Sequence, residues 1–191
     1  YNGNVEFYVI DKEDPLIQNY MKIFPSLFKD FKEMPAGLKE HIRYPEDLFN
    51  VQMSIYGSYH MKEPQVFYNK EDVWRTPIEI YSGSQIEMSP YYIILKLPDA
   101  DKEGFFLITP LVPRGKENMI AWFTAHSDPG SYGRLEVFTL SKQELTYGPM
   151  QIEARINQDT EISQLLTLWD QQGSEVIRGN LIVIPIEKSF L

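Results

Sequence analysis

Three histidines, His41, His60 and His126, are the first side chains to weigh for chemistry, since imidazole serves both as metal ligand and as acid or base. A zinc site calls for about three nitrogen or oxygen ligands, often two of them one turn apart on a helix. These three stand far apart along the chain, so their spacing carries no metal signal and no metal is expected. His41 and His60 flank a predicted helix and read as capping or packing groups; the sharper reading has them converge with His126 and Asp128 around an ion or substrate. Arg114, Lys116 and Asn118 crowd a turn between two predicted strands, where the planar fork of an arginine can hold a carboxylate or a phosphate. An ordinary polar hairpin, its arginine bonded to backbone, gives the same pattern. Asp128-Pro129-Gly130 is turn chemistry first and a catalytic carboxylate only second. The candidate binding set is therefore His41, Arg43, His60, Arg114, His126 and Asp128, and none of the six is assigned a catalytic role.

Other site signatures are missing. A serine nucleophile sits on a sharp Gly-x-Ser-x-Gly turn, and the nearest stretch, Gly130-Ser131-Tyr132-Gly133, has the wrong spacing. Neither a phosphate-cradling Gly-x-x-x-x-Gly-Lys-Ser/Thr loop nor a Gly-x-Gly-x-x-Gly turn occurs, and no calcium loop of alternating carboxylates is present. No cofactor is expected. Rings concentrate in the middle of the chain, among them Tyr56, Tyr59, Tyr68, Trp74, Tyr91 and Tyr92. Such bulk serves a core, or, where exposed, stacks on the sugars of an envelope polymer or anchors a protein partner.

The elements that must position these groups follow from composition and periodicity. At 43% hydrophobic and 24% charged residues the chain has the balance of a globular domain, and 191 residues bury a sizeable core without metal or disulfide. Lys and Arg number 18 against 27 Asp and Glu, a net charge of −9, so the summed field repels polyphosphates and anionic lipid headgroups. No nucleic acid partner is expected. Cysteine is absent, which removes thiol nucleophiles and thiolate metal sites together. No apolar run approaches the roughly 20 residues that cross a bilayer, so this segment is not expected to insert into one.

Val5 to Ile10 reads as a strand, and Asp14-Pro15 as the N-cap and first position of a helix. Ile17, Tyr20, Met21 and Phe24 give that helix one apolar stripe, expected to be buried and continued by Phe28 and Phe31. A second helix starts near Pro45 with Glu46 and Asp47 in its first turn, and its spacing turns Leu48, Val51, Ile55 and Tyr59 toward the core. Ser82 to Gln85 reads as a flexible loop. Beyond it, Tyr91–Leu97, Phe105–Leu111, Asn118–Ala125 and Arg134–Leu140 predict an antiparallel meander. Asp159 caps a last helix with Ile162, Leu165, Leu166 and Trp169 on one face, Gly173 ends it, and Asn180–Ile186 is expected to rejoin the sheet. The fold class is α+β: a largely antiparallel sheet of about five to six strands with about three helices packed on it. Residues 1–191 are expected to form a single globular unit, helical over about 1–80 and strand-rich over about 90–191.

Tyr1-Asn2-Gly3-Asn4 opens without initiator methionine and reads as half of a hairpin whose first strand is missing. The expectation is a piece excised from a longer protein, with an open sheet edge free to pair with a second copy.

Four stretches carry a resemblance over the whole chain: Tyr1-Asn2-Gly3-Asn4-Val5-Glu6-Phe7-Tyr8, His41-Ile42-Arg43-Tyr44-Pro45-Glu46-Asp47-Leu48-Phe49, Pro113-Arg114-Gly115-Lys116-Glu117-Asn118, and Gly173-Ser174-Glu175-Val176-Ile177-Arg178-Gly179-Asn180-Leu181. With them the chain resembles a UPF-class uncharacterised family of large bacterial multi-pass membrane proteins, whose N-terminal membrane helices precede a large extracytoplasmic region. The resemblance implies a location, the outside region of a cell-membrane protein, and supplies no activity, substrate or catalytic residue. The expected role is an extracytoplasmic module that binds a partner or helps assemble the rest of the parent membrane protein. The rival expectations are a hydrolase-like envelope enzyme with a His/Arg/Asp cleft and an envelope glycan-binding module.

Overall fold

The computed structural model describes residues 3–97, 100–141, 145–186 and 189–190. Of the expected Asn2-Gly3 hairpin turn, Asn2 lies outside them, as do Tyr1 and Leu191. Where the sequence leads to a single unit, the backbone divides into two, Tyr1–Ile42 and Arg43–Leu191.

In the first unit, β1 (Phe7–Val9) pairs with β2 (Phe28–Asp30) in parallel, joined by helix α1 (Pro15–Ile23). Asp14 caps α1 as its sequence requires, accepting from the Leu16 and Ile17 N–H groups at 2.7 and 3.1 Å. Phe7 and Phe28 face each other across the pair with ring centroids 5.9 Å apart, and Lys29 pairs with Glu6. A 3-10 turn (Phe31–Glu33) and α2 (Ala36–Lys39) complete the unit. The stripe expected to be buried on α1 is not: no α1 residue is buried, and Tyr20 and Phe24 are half exposed. Three β2 residues and two short turns offer too little surface to cover a nine-residue helix.

The second unit begins with α3 (Glu46–Tyr59) and α4 (Pro64–Asn69). The short strand β3 (Trp74–Arg75) follows, and β4 (Ile78–Tyr81) turns into β5 (Ser84–Glu87). The stretch expected to be a flexible loop is thus a two-residue hairpin turn. Ser82 and Gly83 take positive φ of 46° and 76°, the geometry that matches the twist of paired strands. Next come β6 (Tyr91–Leu95), β7 (Gly104–Pro113), β8 (Ala121–His126) and β9 (Leu135–Thr139), the antiparallel meander that alternation predicts. β7 is long enough to pair with both β6 and β3 along one side and β8 along the other, giving a five-stranded sheet. α5 (Pro149–Gln158), unforeseen in the sequence, and α6 (Thr160–Trp169), capped by Asp159 as expected, precede β10 (Pro185–Ile186) and β11 (Ser189–Phe190). The described residues therefore hold six α-helices and a mostly antiparallel sheet, an α+β fold with more helices than the three expected.

The central strands are buried on both faces, and period-two alternation sorts their side chains into two cores. Leu107, Leu111, Ala121 and Phe123 face Phe49 and Met53 of α3, while Phe106, Ile108 and Trp122 face Leu95, Leu97, Met119 and Val183. Ile152 of α5 packs on the second core. On α3 the buried positions are Phe49, Met53 and Gly57, whereas Leu48, Val51, Ile55 and Tyr59, expected inward, are 45, 54, 49 and 71% exposed. Gly57 explains the choice of face: a Cβ there would lie 2.4 Å from the Trp74 carbonyl oxygen, so only glycine lets α3 approach β3 this closely.

Asn180–Ile184 does not rejoin the sheet. It crosses the second core without strand pairing, and β10 pairs only with β11 among the described strands. Side chains hold it instead. Fully buried Glu79 accepts from the Asn180 amide at 2.8 Å and the Leu181 N–H at 2.9 Å, and the Tyr91 hydroxyl donates to the Val183 carbonyl at 2.5 Å. Arg178 pairs with buried Glu153 at 2.6 Å.

Candidate functional site

Of the six residues singled out in the sequence, His41 lies in the first unit, and the five in the second unit do not meet at one place. His41 is exposed in the turn after α2, its N–H bonded to the Leu38 carbonyl at 3.0 Å. Arg43 is exposed, its guanidinium 5.1 Å from the centre of the Tyr92 ring, while its carbonyl accepts from the Tyr132 hydroxyl at 3.3 Å. His60 closes α3: its N–H and its Nδ1 both reach the Tyr56 carbonyl, at 3.0 and 3.1 Å, and its ring lies 3.9 Å from that of Trp74. Arg114 is an exposed turn residue whose N–H donates to the Val73 carbonyl at 2.7 Å; the turn is an ordinary polar hairpin in which Gly115 takes the positive φ and Glu117 pairs with Arg75.

His126 and Asp128 alone come together, at the open end of the β7–β8–β9 face. They line a cavity of about 480 Å³ with Ser131, Arg134, Glu136 and, on its apolar side, Leu97, Phe106 and Phe138. Register places them. Phe106 is opposite His126 across β7 and β8, and Glu136 is opposite Thr124, which makes the Glu136 carboxylate a diagonal neighbour of the imidazole. His126 Nε2 lies 2.8 Å from Glu136 Oε2, Nδ1 lies 3.0 Å from the Ser131 hydroxyl, and the ring meets Phe106 edge-on at 4.7 Å. Arg134 pairs with the other oxygen of Glu136. A carboxylate only accepts, so Nε2 donates to Glu136, and in the neutral imidazole Nδ1 is then the nitrogen whose lone pair faces the Ser131 hydroxyl. Asp128 is spoken for: its Oδ2 accepts the Phe105 N–H at 2.8 Å, and Asp128-Pro129-Gly130 forms the turn its sequence predicts, with Ser131 N–H bonded to the Asp128 carbonyl at 3.0 Å.

Arg134 and Glu136 escape sequence reasoning, and Ser131 is set aside there because Gly130-Ser131-Tyr132-Gly133 lacks the spacing of a nucleophile turn. The available signal was a pair of charged residues two apart, Arg134 and Glu136, on the face of a predicted strand otherwise shared with Phe138 and Leu140. Close by, Ser127 is buried and its hydroxyl accepts the Tyr44 N–H at 3.2 Å, which ties the start of the second unit to the sheet. Burial raises the phenols of Tyr44, Tyr91 and Tyr132 above their usual range. Among the described residues no group of three or more His, Asp or Glu is placed to hold a metal ion, and no helix is long and apolar enough to cross a membrane.

A model of an uncharacterised protein family, UPF0182, matches residues 1–169. The chain belongs to the UPF0182 family. It is 53% identical to a UPF0182 protein of Methanospirillum hungatei and 57% identical to one of Sulfurovum sp., in each case over all of this chain and 21% of the relative. A UPF0182 protein of Microcystis aeruginosa is 54% identical over the whole chain and 20% of its own length. The chain therefore spans about a fifth of the UPF0182 relatives it matches. No solved structure matches it.

Proposed function

We propose that this segment is an extracytoplasmic module of a membrane-bound UPF0182 protein and that it works by docking, through the outward faces of its helices, against other parts of the parent chain. The observation that carries this reading is the outer stripe of α3: Leu48, Val51, Ile55 and Tyr59 are all 45 to 71% exposed. α6 repeats the arrangement with Leu165, Leu168 and Trp169. Covering one half-exposed side chain of this size stabilises by about 1 kcal/mol, half the value of full burial, so each stripe contributes several kcal/mol once it is covered. Four fifths of each matched relative lies outside the aligned segment, which supplies ample chain to cover both. The outer edge of β9 has no partner among the described strands, so a second copy paired along it is the rival occupant.

The absence of native cysteine in the segment gives a direct test. Ile55→Cys and, as an exposed control, Lys62→Cys are introduced singly into the parent protein, and intact cells are treated with a membrane-impermeant maleimide. The docked module labels at Lys62→Cys and resists at Ile55→Cys until denatured. Equal labelling at both positions removes the docking, and labelling of Lys62→Cys only after lysis removes the extracytoplasmic location. A disulfide between two copies of Ile55→Cys assigns the surface to a second copy instead.

A further inference from the structure

We infer that Ser131, His126 and Glu136 form a nucleophilic relay that hydrolyses a short-chain carboxylic ester held in the cavity on the β7–β8–β9 face. This goes beyond the docking reading and stands on a different part of the molecule. Its basis is the bonding around one imidazole. Glu136 accepts from Nε2 at 2.8 Å, which makes Nδ1 the basic nitrogen of the neutral ring, and the hydroxyl 3.0 Å from Nδ1 is that of Ser131. Arg134 holds the second oxygen of Glu136, which fixes the carboxylate, and Phe106 fixes the ring edge-on. The imidazole side chain is 12% exposed, so the relay is shielded yet opens on a cavity of about 480 Å³.

The cavity has the chemistry of a small ester. Leu97, Phe106 and Phe138 supply an apolar wall for the acyl chain, and Lys102 lines the same space with a positive charge for a developing oxyanion. In the first step the Ser131 oxygen bonds to the ester carbonyl carbon while its proton moves to His126 Nδ1. The acyl–oxygen bond then breaks, and the alcohol leaves with the proton returned from Nδ1. A water molecule, losing its proton to Nδ1, adds to the acyl carbon; the bond to Ser131 breaks, the serine oxygen takes the proton back, and a carboxylic acid is released. Glu136 is a positioning residue: it selects the tautomer and stabilises the charged imidazole between steps. Gly-x-Ser-x-Gly spacing is absent because it belongs to a strand-to-helix turn, whereas Ser131 lies on a turn between two strands.

The test is covalent labelling of the full-length parent protein in its membrane with a fluorophosphonate, followed by mass spectrometry of the peptide that contains Ser131. The expected result is a stoichiometric adduct on Ser131 that is lost when the protein is denatured before labelling. Glu136→Gln is expected to slow adduct formation at least about 100-fold and to move its pH profile, a readout that a merely structural carboxylate leaves in place. His126→Gln is expected to abolish it, and native-state hydrolysis of p-nitrophenyl acetate follows the same order. A native wild-type protein with no adduct on Ser131 overturns the inference whatever the variants do, and so does an adduct that forms equally fast in His126→Gln. The cysteine-accessibility result does not depend on either outcome, so failure here and failure of the docking reading are separate.

Discussion

Substituting Glu79→Gln tests whether one buried carboxylate holds the C-terminal segment on the sheet. Glu79 is 1% exposed, and its two oxygens accept from Asn180 Nδ2 at 2.8 Å and from Leu181 N–H at 2.9 Å. Glutamine has nearly the same volume and retains one acceptor, but its amide group turns a donor toward a donor. Hydrogen bonds to a charged acceptor contribute about 1.5–3 kcal/mol, and the neutral amide recovers part of the carboxylate's desolvation, so about 2 kcal/mol of attachment is lost. Between Gly173 and Ile184 no strand or helix competes for the segment, so the loss falls on local opening rather than on the meander. An opening equilibrium shifted by 2 kcal/mol is about 30-fold. Hydrogen exchange of the Leu181 amide is therefore expected to accelerate about 30-fold in Glu79→Gln, with Phe123 in β8 changing much less. Unchanged protection at Leu181 would refute the assignment of Glu79 as the anchor, and equal acceleration at Phe123 would show that the segment has no separate attachment.

Gly148→Ala places a Cβ 1.8 Å from the Glu117 carbonyl oxygen, a backbone atom that cannot move aside, and is expected to cost roughly 3 kcal/mol, read from the urea midpoint. Phe49→Ala removes a ring with no exposed surface and should lower stability by about 3–5 kcal/mol, while Val51→Ser, two residues along the same helix, stays within about 0.5 kcal/mol in the isolated segment. A large effect at Val51 would mean that the outer stripe is already covered. Burial raises the Tyr91 phenol, so the folded chain keeps a proton that the unfolded chain releases above about pH 10. Stability present below that pH is lost as pH rises toward the folded value, at up to about 1.4 kcal/mol per unit from this group. Tyr91→Phe should flatten that part of the alkaline slope between pH 9 and 11 and remove about 1 kcal/mol at neutral pH through the lost bond to Val183.

Where a signal is local and chemical, the sequence is legible. Asp14-Pro15, Pro45-Glu46-Asp47 and Asp159 mark helix starts because caps and dipoles act within one turn, and all three helices begin there. The meander follows from alternation broken by Pro, Gly and Asp. What fails is whatever depends on a distant partner. Asn180–Ile184 has strand composition, but the open side of the sheet is not offered to it, and Glu79, a hundred residues upstream, claims its backbone N–H instead. At the candidate site the histidine and the turn were visible, and Ser131 was weighed and set aside on its spacing; Glu136 and the relation of both to His126 were not visible, because the fold of β8, β9 and the turn between them sets it, which a residue count does not convey.

α3 shows the same limit in a form that bears on function. Helical spacing says that a face wants cover and is silent about which cover. At 100° per residue α3 carries two apolar stripes, Phe49, Met53 and Gly57 on one and Leu48, Val51, Ile55 and Tyr59 on another, with Asp47, Asn50, Ser54 and Ser58 confined to a third. The larger stripe is the more apolar, yet it is turned out, because only the stripe with Gly57 can come within reach of the Trp74 backbone. The docking proposed above gives the outward stripe of Leu48, Val51, Ile55 and Tyr59 a surface to meet, as the sheet of this segment gives one to Phe49, Met53 and Gly57.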